Sequence, residues 1–387
     1  MPFVTQSLAC PSKIPGLPPE SELGEIFMQC LPDSPGPGRN DSPGVLLDVC
    51  RVWSEIASST PSLWSTLHSG RAHFTRFEGR HAAQFDKLSA AWLSRARNRP
   101  ISLFVDGPLH QLLSSLQQYA NRVKHLDLRV PNKDLQQMKK IAFPSLIKLK
   151  ITLAEPDEYS SPTEVDYVEL LRAALCVAEC EFVGQKSWAD SVPAPQPRPL
   201  THRHLQHLRL GSSHHNWGTH NPSILQYVTL PALQSLFISD FDDLRVNTLE
   251  EFFARSGSSP PLQSLHMVAR NPAFVGLENG VRRLAYMTDL TLEFRHDIRN
   301  LNFLEMLTDP LCLPSLRSLT VTGGWIDFLE YRTVVRTFAT RRLHSFRIIQ
   351  VDPPYLAPDI LAALRQLVDE GMHIWIGTPD VNAVNLV

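Results

Sequence analysis

Cysteine is scarce and scattered, with six residues at positions 10, 30, 50, 176, 180 and 312 of a 387-residue chain. That spacing favours reduced, mostly buried thiols over the disulfide framework of a small secreted domain. No run of 18 apolar residues occurs, so nothing reads as a membrane-spanning helix. The opening Met-Pro-Phe-Val-Thr-Gln-Ser lacks the basic start and long apolar core of a secretory signal, and the expected location is cytoplasmic and/or nuclear. Neither sign of charge dominates: 37 Lys plus Arg face 39 Asp plus Glu, a formal net charge of -2. Such a balance gives no general attraction to nucleic acid or to an anionic membrane.

The usual motifs of chemistry are missing too. There is no G-x-x-x-x-G-K-[ST] phosphate loop, no G-x-G-x-x-G opening a helix, no H-E-x-x-H and no G-x-S-x-G. The expectation is a non-catalytic chain with no cofactor, although a site assembled from distant residues stays open. Six histidines cluster at His202, His204, His207, His214, His215 and His220. No Cys or carboxylate completes a closed ligand set among them, so they read as solvated polar loop residues, with no metal expected.

What the chain has is a repeat. The pattern apolar-x-x-apolar-x-apolar recurs nine times, from Val123/Leu126/Leu128 and Leu146/Leu149/Ile151 through Val177/Cys180/Phe182 and Met287/Leu290/Leu292 to Leu343/Phe346/Ile348. Steps between first positions are 23, 31, 28, 28, 29, 25, 29 and 27 residues, averaging 27.5. Flanking copies fall at Ile101/Leu103 and Ile374/Ile376, and helical patterns over Thr163 to Leu175, Thr248 to Arg255, Asn300 to Leu307, Tyr331 to Thr340 and Pro358 to Glu370 lie between the strands. Alternating short strands and helices imply parallel strands with right-handed crossovers, stacked as a curved α/β solenoid.

The repeat length and the Leu-x-x-Leu-x-Leu core resemble leucine-rich repeat domains over residues 99–387. The Asn or Cys that follows the strand in that family is absent: Pro131, Ala154, Phe241, Arg270 and Gly324 hold the position in different copies. Irregular turns are therefore expected. Pro144, Pro231 and Pro314 mark strand entries instead, and Pro193 to Pro199 reads as a loop insertion.

Alternate strand residues face opposite sides, so with the apolar triplet inward the intervening side chains line the open face of the sheet. On it the candidate target-binding residues are His207, Arg209, Phe237, His266, Arg347 and Trp375. Phe237 and Trp375 are the candidate apolar anchors. Burial under a loop or the C-terminal tail is the other reading of both.

The N-terminal stretch differs. Leu23, Ile26, Phe27, Cys30 and Leu31 make one apolar helical stripe behind Pro18 and Pro19. A second helix start at Asp41, Ser42 and Pro43 leads into a face of Val45, Leu46, Val49, Trp53 and Ile56, and a third start follows at Thr60 and Pro61. Ala82 to Ala96 reads as a connecting helix within residues 71–98.

With its Leu-Pro opening, Cys-Arg-x-Trp-x-x-Ile-Ala and Thr-Pro-x-Leu-Trp, the segment 14–70 resembles the F-box family, most closely F-box-like proteins of mushroom-forming fungi. It follows a tail over residues 1–13. Gly24 inside the first helix and the long Pro/Gly-rich connection from Pro32 to Gly44 depart from the pattern. The resemblance implies docking on a Skp-type adaptor and a cullin scaffold through Leu17, Pro18, Leu23, Ile26, Phe27, Val49, Cys50, Trp53, Leu63 and Trp64. The implied function is that of a substrate-recognition adaptor of an SCF (Skp, cullin, F-box) ubiquitin ligase. A non-ligase interaction scaffold, with the helical segment as a cap and Trp53 and Trp64 as core, is the alternative.

Overall fold

A computed structural model describes residues 20–37, 43–70, 82–153, 164–183, 197–211, 222–239, 248–257, 261–269, 284–294, 302–323, 330–341, 343–351 and 354–385. The fold is α/β, with its long strands parallel. It divides into two compact units, one reaching residue 130 and including 141–146, the other comprising 131–140 and the chain from 147 onward.

In the first unit, helix α1 (Glu20–Gln29) is followed by α2 (Leu46–Val49) and α3 (Arg51–Ser59). Leu23 and Phe27 are the buried apolar side chains of α1, and Phe27 packs on Trp53 with ring centroids 5.0 Å apart. Gly24 has a packing reason, since a Cβ there would lie 3.1 Å from Thr60 Oγ1. The single helical face expected from Val45 to Ile56 is interrupted, because Cys50 is extended at φ -159, ψ 168. On an unbroken helix Val49 and Ile56 would share a face, seven residues apart. The break separates them: Ile56 is 4% exposed and Val49 51%. The third expected helix is only a 3-10 turn, Pro61–Trp64, because the chain enters strand β1 (Thr66–Ser69) at once.

Beyond β1 come α4 (Ala82–Arg95), β2 (Ile101–Asp106), α5 (Leu113–Tyr119) and β3 (Val123–Val130). The three strands pair parallel in chain order, with Leu67, Leu103 and Leu126 in register and buried. The proline-rich connection after α1 has a use here. His68 donates its backbone N–H to the Pro35 carbonyl at 2.7 Å, and Pro35, Gly36 and Pro37 are buried. A segment of this kind blunts a strand edge that would otherwise invite pairing.

The second unit contains α6 (Asn132–Met138), β4 (Lys148–Leu153), α7 (Glu164–Ala173) and β5 (Glu179–Val183), then β6 (Leu200–Thr201), β7 (His207–Leu210), β8 (Val228–Thr229) and β9 (Ser235–Ser239). Next come α8 (Thr248–Ser256), β10 (Ser264–Ala269), β11 (Asp289–Phe294), α9 (Asn302–Met306), β12 (Ser318–Thr322), α10 (Glu330–Thr340), β13 (Ser345–Ile349), α11 (Pro358–Asp369) and β14 (His373–Gly377). Nine strands pair in the order β4-β5-β7-β9-β10-β11-β12-β13-β14, all parallel. Strands β6 and β8, which the sequence does not announce, form a separate two-stranded pair, and most of the expected loop insertion from Pro193 to Pro199 lies outside the described residues.

The repeat is visible in the backbone. The carbonyl of Ala178 accepts the N–H groups of both Gln206 and His207, that of Gln206 those of Gln234 and Ser235, and that of Gln234 those of Gln263 and Ser264. Gln263, Thr288 and Arg317 continue the ladder. The copies entering β5 through Val177 and β11 through Met287 take part like the rest. Inward side chains stay in register and buried from Leu149 on β4 to Ile374 on β14.

Arginines tie successive copies together. Arg172 donates to the Arg198 carbonyl at 2.9 Å and Arg255 to that of Leu225 at 2.6 Å, while Arg341 reaches those of Cys312 and Leu313. Leu313 has φ 50, so Arg341 clasps a turn that costs a non-glycine residue energy. Donors of this kind satisfy turn carbonyls in a sequence with no regular asparagine after its strands.

Strand β14 is closed by the chain itself. Asn382 donates its side-chain amide to Ile374 O at 3.0 Å and accepts the Ile376 N–H on Oδ1 at 3.1 Å. One side chain thus acts as a short extra strand along this edge.

Candidate functional site

Two surfaces collect the residues singled out by sequence. In the helical segment of the first unit the structure separates them by burial. Leu63 is 0% and Trp64 1% exposed, and Leu23 and Phe27 are buried as well. Trp64 donates its indole N–H to Ala57 O at 2.8 Å and meets Trp92 edge-on at 5.0 Å. Leu63 and Trp64, like Leu23 and Phe27, are packed in the interior of the segment, as the tight entry into β1 requires. Ile26, Val49 and Cys50 are exposed and Trp53 is half-buried. Met28 and Val45, outside the set of contacts that the F-box resemblance implies, are also exposed, at 39% each. Val45 belongs to the apolar face expected from the sequence, whereas Met28 lies off the α1 stripe of Leu23, Ile26, Phe27, Cys30 and Leu31. Leu17 and Pro18 lie outside the described residues.

The outward face of the second unit is built by the strand register. One row crosses it through Lys150, Glu181, Arg209, Phe237, His266, Thr291, Thr320, Arg347 and Trp375, one residue per strand. Neighbours in such a row lie about 4.8 Å apart, close enough to interact. Much of the charge is consumed internally. Lys148 pairs with Glu179 at 2.9 Å, and Glu181 lies between Lys150 and Arg209 at 3.5 Å from each. His266 Nε2 is 3.3 Å from Glu293 Oε2.

Phe237 is not an exposed anchor. It is 6% exposed, with the Arg209 guanidinium over its ring at 3.9 Å and His266 against it edge-on at 4.6 Å. Register explains this, because both flanking strands present a planar, polarisable side chain that covers the ring. Arg209 and His266 are half-buried, and His207 and Arg347 are exposed. Trp375 is half-buried, its indole N–H donated to Thr378 O at 3.0 Å. A depression of about 220 Å³ opens over β4, β5, β7 and β9, lined by Lys148, Lys150, Glu181, Arg209 and Phe237, groups already paired or stacked among themselves.

Within the histidine cluster, His202 has a structural task. It is fully buried, accepts the Leu205 N–H on Nδ1 at 3.1 Å and donates from Nε2 to Ala174 O at 3.1 Å. Both ring nitrogens are engaged in the neutral form. His204 and His207 are exposed, and His214, His215 and His220 lie outside the described residues. Among the described residues no three potential ligands form a metal-holding group.

Burial pushes the His202 pKa below its ordinary 6.5. The unfolded chain then binds more protons than the folded one near and below that value, so stability falls as pH drops through it. The unfolding midpoint should decline from about pH 7.5 to about pH 5.5, and His202→Gln should flatten that decline. An unchanged slope in the variant would assign the pH dependence to other groups.

Leu88, on α4, is another half-exposed apolar side chain, and no described helix is long and apolar enough to cross a membrane. No family model matches the chain, and no curated protein matches it.

Proposed function

We propose that the chain is a substrate-recognition adaptor of an SCF-type ubiquitin ligase. In this reading the helical segment is an F-box that docks on a Skp-type adaptor and through it on a cullin, and the strands from β4 to β14 are an irregular leucine-rich repeat solenoid whose outward face carries a target protein. The observation that carries the reading is the exposure of Ile26, Met28, Val45 and Val49 beside a segment whose Leu23, Phe27 and Leu63 already close its own core. Apolar side chains left outside a small helical module favour a protein partner.

The mechanism is positional. Holding a target and the ligase scaffold on one chain raises the effective concentration of target lysines near the ubiquitin-charged enzyme, and no residue of this chain enters the thioester chemistry. A second reading has its own support. Burial of Leu23 and half-burial of Trp53 suit a helical cap on a non-ligase interaction scaffold.

The variant Ile26→Asp/Val49→Asp separates the two. Both side chains are about half exposed, at 45% and 51%, so the fold should tolerate the change. Docked against an apolar surface, two carboxylates should lower recovery with a Skp-type adaptor by more than about a hundredfold. An intact chain that remains folded but brings down no adaptor supports the scaffold instead.

A further inference from the structure

Two arginines on the outward face of the second unit stand beside an aromatic residue of the next strand at the same register, Arg209 beside Phe237 and Arg347 beside Trp375. The first pair is closed. Glu181, in register on the preceding strand, lies 3.5 Å from Arg209 Nε, and the guanidinium rests 3.9 Å above the Phe237 ring. At the second pair the position equivalent to Glu181 is Thr320. Arg347 is exposed and has no ion pair, hydrogen bond or ring contact among the described residues.

The outward positions of β12, β13 and β14 carry hydroxyls, histidine and glycine around Arg347, Ile349 and Trp375, with no carboxylate. Trp375 is meanwhile held in place by its bond to Thr378 O. The sheet therefore repeats its own arginine-aromatic pair with the acidic member left out.

We propose that Arg347 and Trp375 anchor an aspartate or glutamate of a partner protein, whose carboxylate takes the place over Thr320 that Glu181 holds beside Arg209. The inference rests on the reading that this face carries the target, and it names the chemistry of that target. On binding, the carboxylate pairs with the guanidinium, which settles on the indole as Arg209 does on Phe237, so that ion pair and cation–π contact form together. One guanidinium ringed by hydroxyls matches a monoanion, whereas a phosphate carries nearly two charges and would leave one of them unmatched.

The test uses short random peptides displayed on phage and selected against the full chain, followed by synthetic copies of the selected sequences. Selected peptides should share an Asp or Glu. Changing it to the amide should weaken binding about thirtyfold, and Arg347→Gln should weaken binding of the original peptide as much. Combining both changes should add little to either, because they remove the same interaction. A phosphoserine in place of the acid should bind more weakly.

An empty selection, selected peptides without an acid, undiminished binding by Arg347→Gln, or tighter binding of phosphoserine would each overturn the proposal. Co-purification of Arg347→Gln with the Skp-type adaptor reads the other end of the chain independently. Acidic-peptide binding without adaptor binding removes the ligase reading and leaves this site standing; adaptor binding without acidic preference does the reverse.

Discussion

Replacing Trp64 with alanine should destabilise the first unit by about 3–5 kcal/mol, the range for emptying a buried aromatic site. The indole is 1% exposed, bonded to Ala57 O, edge-on to Trp92 and covered by the Arg95 guanidinium at 4.8 Å. Removing it would leave a void between α3, α4 and β1 that a residue fixed in a 3-10 turn cannot collapse to fill. Trp64→Phe should lose far less, mainly the hydrogen bond at about 1 kcal/mol. Amide hydrogen exchange at Leu103 and Leu126 would report the loss in the alanine variant, while exchange at Leu290 and Leu319 stays as it was. Unchanged protection at Leu103 would mean that Trp64 does not hold this unit together.

Gly377→Ala should open the C-terminal clasp. Gly377 has φ 156, and a Cβ there would sit 2.0 Å from the Val381 carbonyl oxygen, a backbone atom that cannot yield without moving the whole turn. The strain and overlap together should cost about 3 kcal/mol, enough to release residues 378–385. Thr378 then no longer bonds to Val381 O at 3.0 Å, and Asn382 leaves Ile374 and Ile376. The expected readouts are fast exchange of the Ile376 amide and self-association through the bared edge of β14. Retained protection of that amide would contradict the clasp.

The strand array was legible because its signal is local and repeated: a period-two apolar pattern at near-constant spacing fixes which side chains point inward. The ladder carbonyls at Ala178, Gln206, Gln234 and Gln263 recur at the 28- and 29-residue steps that the apolar triplets show. What periodicity could not tell was anything decided by a neighbour in space. Phe237 alternates outward like Trp375, but only the register with Arg209 and His266 covers it. Asn382 carries no pattern, because its role depends on the chain turning back at Gly377.

The helical segment was harder to read for a related reason. Its apolar positions are dense enough that periodicity draws one helix through Cys50, where the backbone is extended. Burial then divides the motif residues between those that hold the segment together and those left at its surface. Leu63 and Trp64 belong to the first set, Ile26 and Val49 to the second.

The most direct test of the adaptor role is a calorimetric titration of a purified Skp-type adaptor into the intact chain. One-to-one binding tighter than about 1 μM is expected. Burial of apolar surface on docking should also give a negative heat-capacity change. A folded chain that gives no binding heat at several temperatures would rule out the adaptor role.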